Sequence, residues 1–562
     1  MKTLKSVAII VFVFALLVGC SSNSGNGGKE EQPGTAGNAS QTPAAASAAP
    51  NETQGTTGEE ALPEKYDPPI SLSTTMFNFN YPKFEDGEDM NNNRWSRHIE
   101  ETFGIKVTTL WDVPIDQFDQ KTSLMIASGD LPDYFAVSPA QFRQLYDADL
   151  IMDLTDVFES YAPEATRQVI EKAGAAVFES AHIDGKLMAI PFTGVAQDEV
   201  SVLWVRKDWF EKLGMSAPQS MGDVLAMAEA FATQDPDGNN KADTFGLGMN
   251  NTFDGRIFGF LNGYHAYKGI WVEDDAGGLA YSSVLPEMKT ALEQLQQLYQ
   301  AGYIDREFGV KSTEKMYEDI GEGRIGMYFG SMGEAAGKLY SVTPETEWLP
   351  FAIPSSDGQL AQMQHGPNIY SNLYWVVKKG VSNPEAIFKL SEMWLRYFYN
   401  SQTQEELDYF RATPTTGYWM NAPFKLYQSF RGQDTEAVTA VLNGEKDKST
   451  LSLSQLGYYE RILKYEAGDR TEWPIRWQYG IDSSGEIALS YTANNQYKGD
   501  RLLTTPTETM VLKMPSLIKM EEQMIHGIIM GDSLDKFDSF VTEWKKMGGD
   551  EITAEVNAWY KK

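Results

Sequence analysis

From residue 70 onward, short runs of apolar or alternating positions are each followed by a stretch with helical spacing, which predicts strands alternating with helices. Ile70 to Asn80 (ISLSTTMFNFN) reads as a strand and is followed by an acidic, Asn-rich turn. A helix around Arg94 to Thr102 stops at Gly104, and Ile105-Lys106-Val107-Thr108 begins the next strand. Gln117 to Ala127 reads as a second helix. The turn Asp130-Leu131-Pro132-Asp133 then leads into Tyr134-Phe135-Ala136-Val137. This βαβαβ order predicts a parallel, doubly wound sheet.

The stretch from Asp184 to Gly214 breaks the rhythm. Asp184-Gly185 is a turn signal, the apolar run after it ends at Pro191, and Thr193 to Glu199 is polar. Val200 to Val205 is a β-branched and aromatic run, and a helix opens at Lys207-Asp208 and stops at Gly214. One strand leaves a first domain, a polar hinge carrying Asp198 and Glu199 crosses a gap, and a second strand enters another domain.

Beyond the crossing, Gly222 to Thr233 is an amphipathic helix with Val224, Met227, Ala228 and Phe231 on one stripe. It runs into a loop in which Asp235, Asp237, Asn239 and Asp243 place oxygens at positions 1, 3, 5 and 9, with the Lys241 carbonyl at position 7. That spacing suits wrapping hard oxygen ligands around Ca²⁺. It departs from the EF-hand pattern, with glycine at position 4 and Gly246 where a bidentate Glu would stand. An acidic turn that binds nothing is the alternative.

Asn250 to Trp271 mixes Gly, Phe, Tyr and Asn as a carbohydrate wall would, though such rings also serve as packing. Pro286 to Ala301 reads as a helix with Leu292, Leu295 and Leu298 inward. Gly321-x-Gly323-x-x-Gly326 matches a dinucleotide fingerprint in form only, because a strand (Ile325 to Phe329) follows and no helix N-terminus awaits a pyrophosphate. Trp348 to Pro354 and His365 to Val377 read as a return to the first domain, and Pro384 to Tyr399 as its helix. Beyond Ser401 the pattern is mostly helical and irregular.

Length and composition fit this division. The chain has 562 residues, against a prior of roughly 150 per domain. Net charge is −31, from 78 acidic and 47 basic residues. Such a surface repels phosphate backbones and anionic lipids, and it argues against a polyanionic ligand unless a local cluster such as Arg206-Lys207 overrides it. At the N-terminus, Lys2 and Lys5 precede an apolar run, Val7 to Val18, that is short for a membrane span. Residues 21 to 63 are Gly, Ser, Asn, Thr, Ala and Pro with scattered Glu, the composition of a disordered tether. Five histidines occur without metal-ligand spacing, and no P-loop or nucleophile-elbow motif is present.

Several of these segments resemble one family. GKLMAIPF (185–192), SGDLPDYFAV (128–137), YEDIGEGRIGMYFG (317–330), the closing Ile528-Ile529-Met530-Gly531, Phe537-Asp538 and Val556-Asn557-Ala558-Trp559-Tyr560 are similar to the extracellular solute-binding proteins of bacterial sugar importers, in their long-chain subgroup. Leu17-Val18-Gly19-Cys20 resembles the lipobox of bacterial lipoproteins, which implies cleavage before Cys20, the only cysteine, and a diacylglycerol or palmitate anchor on its thiol. The 235–243 loop resembles one that holds a structural calcium in some members.

The resemblance implies a periplasmic-binding-protein-like α/β fold, with two doubly wound lobes joined by a hinge and a ligand cleft between them. Its expected divisions are a signal peptide (1–19), a tether (20–65), first-lobe segments 66–195 and 351–405, and second-lobe segments 196–350 and 406–562. The implied function is capture of an oligosaccharide and its delivery to an ABC importer by hinge closure. The protein would be a monomer on the outer face of the cytoplasmic membrane, with the permease as its partner and no enzymatic activity. Asn78, Asn80, Asp198 and Glu199 are the expected direct contacts, and Trp271, Trp375, Trp419, Trp477 and Tyr479 the candidate stacking rings. A secreted glycan-cleaving enzyme and a sensory lipoprotein for a membrane kinase are the alternatives.

Overall fold

A computed structural model of the protein describes residues 62–78, 84–194, 200–252, 255–364, 373–411, 417–428, 431–502 and 506–561. Contacts separate residues 1–58 from 59–562, and every described residue lies in the second unit. The signal-peptide reading, the tether as far as residue 61, Cys20, Asn80, Asp198 and Glu199 fall outside the described residues, whereas Leu62, inside the expected tether, packs against the first core.

The chain opens with β1 (Ile70–Asn78), α1 (Arg94–Phe103), β2 (Ile105–Pro114), α2 (Ile115–Ser128) and β3 (Tyr134–Val137). The helix α1 is defined at both ends. The Asn93 side chain caps it in a capping box, and Gly104 takes a left-handed conformation at φ 66° to stop it. β1 and β2 pair in parallel from Ile70↔Ile105 to Asn78↔Pro114, the expected βαβ arrangement. Asp133, before β3, accepts hydrogen bonds from the backbone N–H and the hydroxyl of Ser73, tying that turn to β1.

After β4 (Ile190–Pro191) the chain leaves the first apolar core and enters a second. There it forms β5 (Ser201–Arg206), α3 (Met221–Thr233), β6 (Phe245–Leu247), a hairpin of β7 (Trp271–Glu273) and β8 (Leu279–Tyr281), α4 (Pro286–Ala301), β9 (Ile325–Ser331), β10 (Trp348–Phe351) and β11 (Met363–Gln364). Val224, Met227, Ala228 and Phe231 of α3 and Leu292, Leu295 and Leu298 of α4 are buried, as their spacing predicts. The second sheet runs β10-β5-β9-β6 and is mixed. β9 is parallel to β6, but β5 is antiparallel to both of its neighbours.

The chain returns to the first core at Leu373, forms β12 (Tyr374–Val377), α5 (Ile387–Trp394) and α6 (Gln404–Phe410), and stays there through Tyr427. β12 lies between β3 and β4, antiparallel to both. The third passage, near 428–431, leads into α7 (Arg431–Leu442), α8 (Leu453–Glu466), α9 (Trp473–Tyr479), α10 (Ser484–Ala493) and β13 (Tyr497–Lys498). The C-terminal helices α11 (Glu508–Ile529), α12 (Asp535–Trp544) and α13 (Asp550–Tyr560) cover the second core.

Two expectations are corrected by this layout. The boundary placed at 351 moves to 373, because β10 pairs with β5 and β11 pairs in parallel with β13, which holds both in the second body. The boundary placed at 405 moves to about 428, because Phe410, Phe424 and Tyr427 are buried in the first core. The doubly wound order is parallel in part only. β5 and β12 each enter from the opposite body, so each runs against its neighbours.

Candidate functional site

The first body meets the helical layer that follows the third passage. A pocket of about 470 Å³ opens where they meet, within the range of roughly 300–1,000 Å³ common for ligand sites. The first body contributes Leu407, Asp408 and Arg411 from and just after α6, and Trp419 from the stretch before the third passage. Arg431 opens α7, Tyr458 and Arg461 lie on α8, Gln478 and Tyr479 end α9, and Gly333 belongs to the loop after β9.

Packing fixes most of these groups. Tyr458 and Tyr479 stack with centroids 4.2 Å apart and planes 7° apart. Tyr479 is only 4% exposed, and burial, with Tyr458 and Asp434 nearby, holds its hydroxyl well above the ordinary tyrosine range. It is therefore a neutral O–H at physiological pH. Half-buried Trp419 meets Phe398 edge-on at 5.8 Å and keeps part of its ring open to the pocket. The Arg411 guanidinium lies over the Phe398 ring and donates to Ser454 Oγ at 3.3 Å. Gln478 Oε1 accepts the Ala336 N–H at 3.0 Å, and Ser484 donates to the Met332 carbonyl at 2.7 Å. These two bonds fasten the loop after β9 to the helical layer.

The candidate residues named from the sequence separate into three groups. Trp419 and Tyr479 line the pocket. Asn78 is half-buried at the end of β1 and donates to Asp112 Oδ2 at 2.8 Å, on the rim of the first core. The remaining rings lie elsewhere. Trp375 is 4% exposed, stacked between Phe192 and Phe424 at 5.0 and 4.8 Å, and donates to the Lys425 carbonyl. Trp271 is 3% exposed and packs on Tyr281, which stacks in turn on Trp544. Both are core residues with no open face for a ligand. Trp477 stands two residues from Tyr479, about 200° around the helix, and so faces away from the pocket. It packs instead beside Glu347 and Tyr465 at a shallow groove lined by Leu349 and Phe351.

The 235–243 loop is formed by its own hydrogen bonds. The Asn239 amide nitrogen donates to Asp237 Oδ2 at 2.6 Å and to Asp243 Oδ1 at 3.1 Å, and Asn240 N–H bonds the Asp235 carboxylate at 3.1 Å. The oxygen donors suit calcium in kind, and here the Asn239 amide bridges Asp237 and Asp243. Among the described residues no three His, Cys, Asp or Glu side chains form a metal-holding group.

Arg411, Arg431, Arg461 and Tyr458 were not legible as site residues. They are spread over α6, α7 and α8 and share no local spacing, so only the packing of those helices brings them together. The basic pair that did stand out, Arg206-Lys207, is neutralised by Asp208 and Glu347.

The sequence model described as "Bacterial extracellular solute-binding protein" matches residues 92–405, more than half of the chain, and the chain belongs to that family. It is 22% identical over 484 residues to the polygalacturonan/rhamnogalacturonan-binding protein YtcQ of Bacillus subtilis (strain 168), covering 83% of this chain and 87% of that protein. It is 20% identical over 488 residues to lipoprotein LipO of the same strain, covering 82% and 88%. Among solved structures, the Streptococcus pneumoniae ABC-transporter substrate-binding protein FusA with kestose aligns at a TM-score of 0.59 and 17% identity, over 87% of this chain and 99% of that one. An EF-hand mutant of FusA with fructo-nystose aligns at 0.58 and 15% identity, over 87% and 99%. These alignments establish the two-lobed fold. No helix among the described residues is long and apolar enough to cross a membrane.

Proposed function

We propose that this solute-binding protein captures an oligosaccharide in the pocket between its two bodies and presents it to an ABC importer. The observation that carries the reading is the pocket itself. Aromatic rings that can lie on sugar faces (Trp419, Tyr458) stand among side chains able to bond hydroxyls and ring substituents, and the lining is drawn from both bodies. A ligand touching both would favour the closed arrangement over an open one, so binding shifts the population toward closure, and closure is what a permease would read. The names of YtcQ and FusA support a glycan ligand. The lipobox-like ending at Cys20 and the likeness to LipO support a lipid anchor holding a monomer at the outer face of the membrane.

The test is calorimetric titration of the unlipidated mature protein with a panel of plant and microbial oligosaccharides, with the products analysed afterwards. Trp419→Ala is expected to weaken the bound sugar by about 1–3 kcal/mol, roughly tenfold or more, while Trp477→Ala leaves binding unchanged. Equal loss in both variants would place the site elsewhere, and sugar cleavage would favour the enzyme alternative.

The same reading gives the 235–243 loop a weak structural calcium site. The oxygen spacing of Asp235, Asp237, Asn239 and Asp243 supports this, as does the EF-hand named for FusA. Calcium at a hundred times its Kd is expected to add about 2.7 kcal/mol to stability. The rise in Tm should vanish in Asp237→Asn and Asp243→Asn, and a wild-type Tm indifferent to millimolar calcium would remove the site.

A further inference from the structure

Glu334, in the loop after β9, is only 9% exposed, and a carboxylate enters a protein interior only where other groups replace its water. Tyr317 Oη, from the helix Thr313–Gly321, donates to Glu334 Oε2 at 2.6 Å. Tyr328 Oη, from β9, donates to the same oxygen at 3.2 Å. The Arg256 guanidinium lies 3.9 Å from Oε1 and donates to Tyr317 Oη at 2.9 Å. Burial, and next the Glu334 charge, hold both tyrosine hydroxyls well above their ordinary range, so both remain O–H donors. Glycine permits the approach. A Cβ on Gly330 would stand 2.9 Å from Glu334 Cγ and 2.8 Å from the Tyr328 ring.

Glu334 is outside the lining of the pocket, whereas its neighbours Gly333, Ala336 and Gly337 belong to it. The same loop is tied to the chain's crossings. Met332 N–H bonds the carbonyl of Val200, where β5 begins after the first passage, at 3.1 Å, and Trp204 Nε1 donates to the Ser331 carbonyl at 2.9 Å. A Cβ on Gly333 would stand 3.0 Å from Cζ of Arg431, where α7 begins after the third passage. With the bond from Ala336 to Gln478, one short loop meets the exits of two passages and the helical layer.

Resting on the reading that this pocket is the ligand site, we propose that Glu334 is a positioning residue for binding: it fixes the loop that forms one wall of the pocket and ties that wall to the first and third passages. Hydrogen bonds to a buried charge, in a low-dielectric surrounding, hold one arrangement firmly. A loop that loses this anchor samples several arrangements, and a ligand must then order it on binding, which weakens affinity without removing any direct contact.

The experiment compares the unlipidated mature wild type with Glu334→Ala and Glu334→Gln. Amide hydrogen exchange is measured, and kestose and a short oligogalacturonide are titrated calorimetrically. Glutamine keeps the length of the side chain and an acceptor oxygen for the two tyrosines, and alanine removes both. In Glu334→Ala the amides of Met332 and Ala336 are expected to exchange about tenfold faster or more, while those of β9 stay protected. Whichever sugar wild type binds is expected to bind this variant about tenfold more weakly, and Glu334→Gln within about threefold of wild type. A general loss of stability would instead expose β9 as well. Unchanged exchange at Met332 and Ala336 in the alanine variant, or faster exchange with unchanged affinity, would overturn the inference and leave the pocket as the ligand site. A wild type that binds neither sugar would count against the pocket reading, and the exchange rates would still decide whether Glu334 holds the loop.

Discussion

Replacing Lys425 by methionine is expected to stabilise the protein by about 2–4 kcal/mol at pH 6 and to change little at pH 10. Lys425 is 4% exposed at the end of the first body's last segment, with the Phe77 ring 5.9 Å from its Nζ and the Ala422 carbonyl as a hydrogen-bond acceptor at 2.7 Å. Burial pushes its ammonium down to about 7, and the Asp112 carboxylate only partly offsets that. An unfolded lysine titrates near 10.4, so between those values the unfolded chain holds the extra proton and stability rises with pH. Below about pH 7 the folded protein carries the buried charge and the full cost, at most about 5 kcal/mol from roughly 1.4 kcal/mol per unit. Methionine keeps the stem's volume and removes the charge, at a loss of about 1 kcal/mol for the bond to Ala422. Urea unfolding of both proteins at pH 6 and pH 10 measures the difference, and groups common to both cancel. A methionine variant less stable at pH 6, or a difference independent of pH, would mean that this lysine is not a buried charge.

Lys425 also shows where reading from sequence stops. The stripe on α3, the ends of α4 and the buried run of β12 were legible because each is fixed by residues within a few positions of one another. The family and its two bodies were legible because their motifs are local too. Burial of a ring is not local. Trp375 and Trp419 look alike in sequence, yet the first is closed in by Phe192 and Phe424 from distant segments while the second is left half open. The boundaries near 351 and 405 failed for the same reason, since β10 belongs where β5 pairs with it. Net charge is not a local quantity either. A net −31 describes the surface as an average, whereas three arginines from α8 and the ends flanking the third passage meet at one pocket.

Gly246→Ala is expected to cost at least about 4 kcal/mol, among the largest effects of a single methyl group. A Cβ at this position in β6 would stand 2.0 Å from the Ala228 carbonyl oxygen and 2.5 Å from its carbon, both backbone atoms of α3. No side-chain rotation relieves such a contact, so sheet and helix must separate. β6 resists, because Gly246 N–H bonds the Tyr303 carbonyl at 2.9 Å and the strand pairs in parallel with β9. Displacing β9 would carry along its C-terminal end and the loop to Gly333, against which Arg431 rests. The variant should therefore unfold at a markedly lower denaturant concentration and, where still folded, bind its ligand more weakly. Gly499→Ala is the control, since nothing lies within 4 Å of its added carbon. If the two alanine variants unfolded within about 1 kcal/mol of each other, α3 and β6 would have to yield far more easily than close-packed backbone does, and the link from this sheet to the pocket would fail with them.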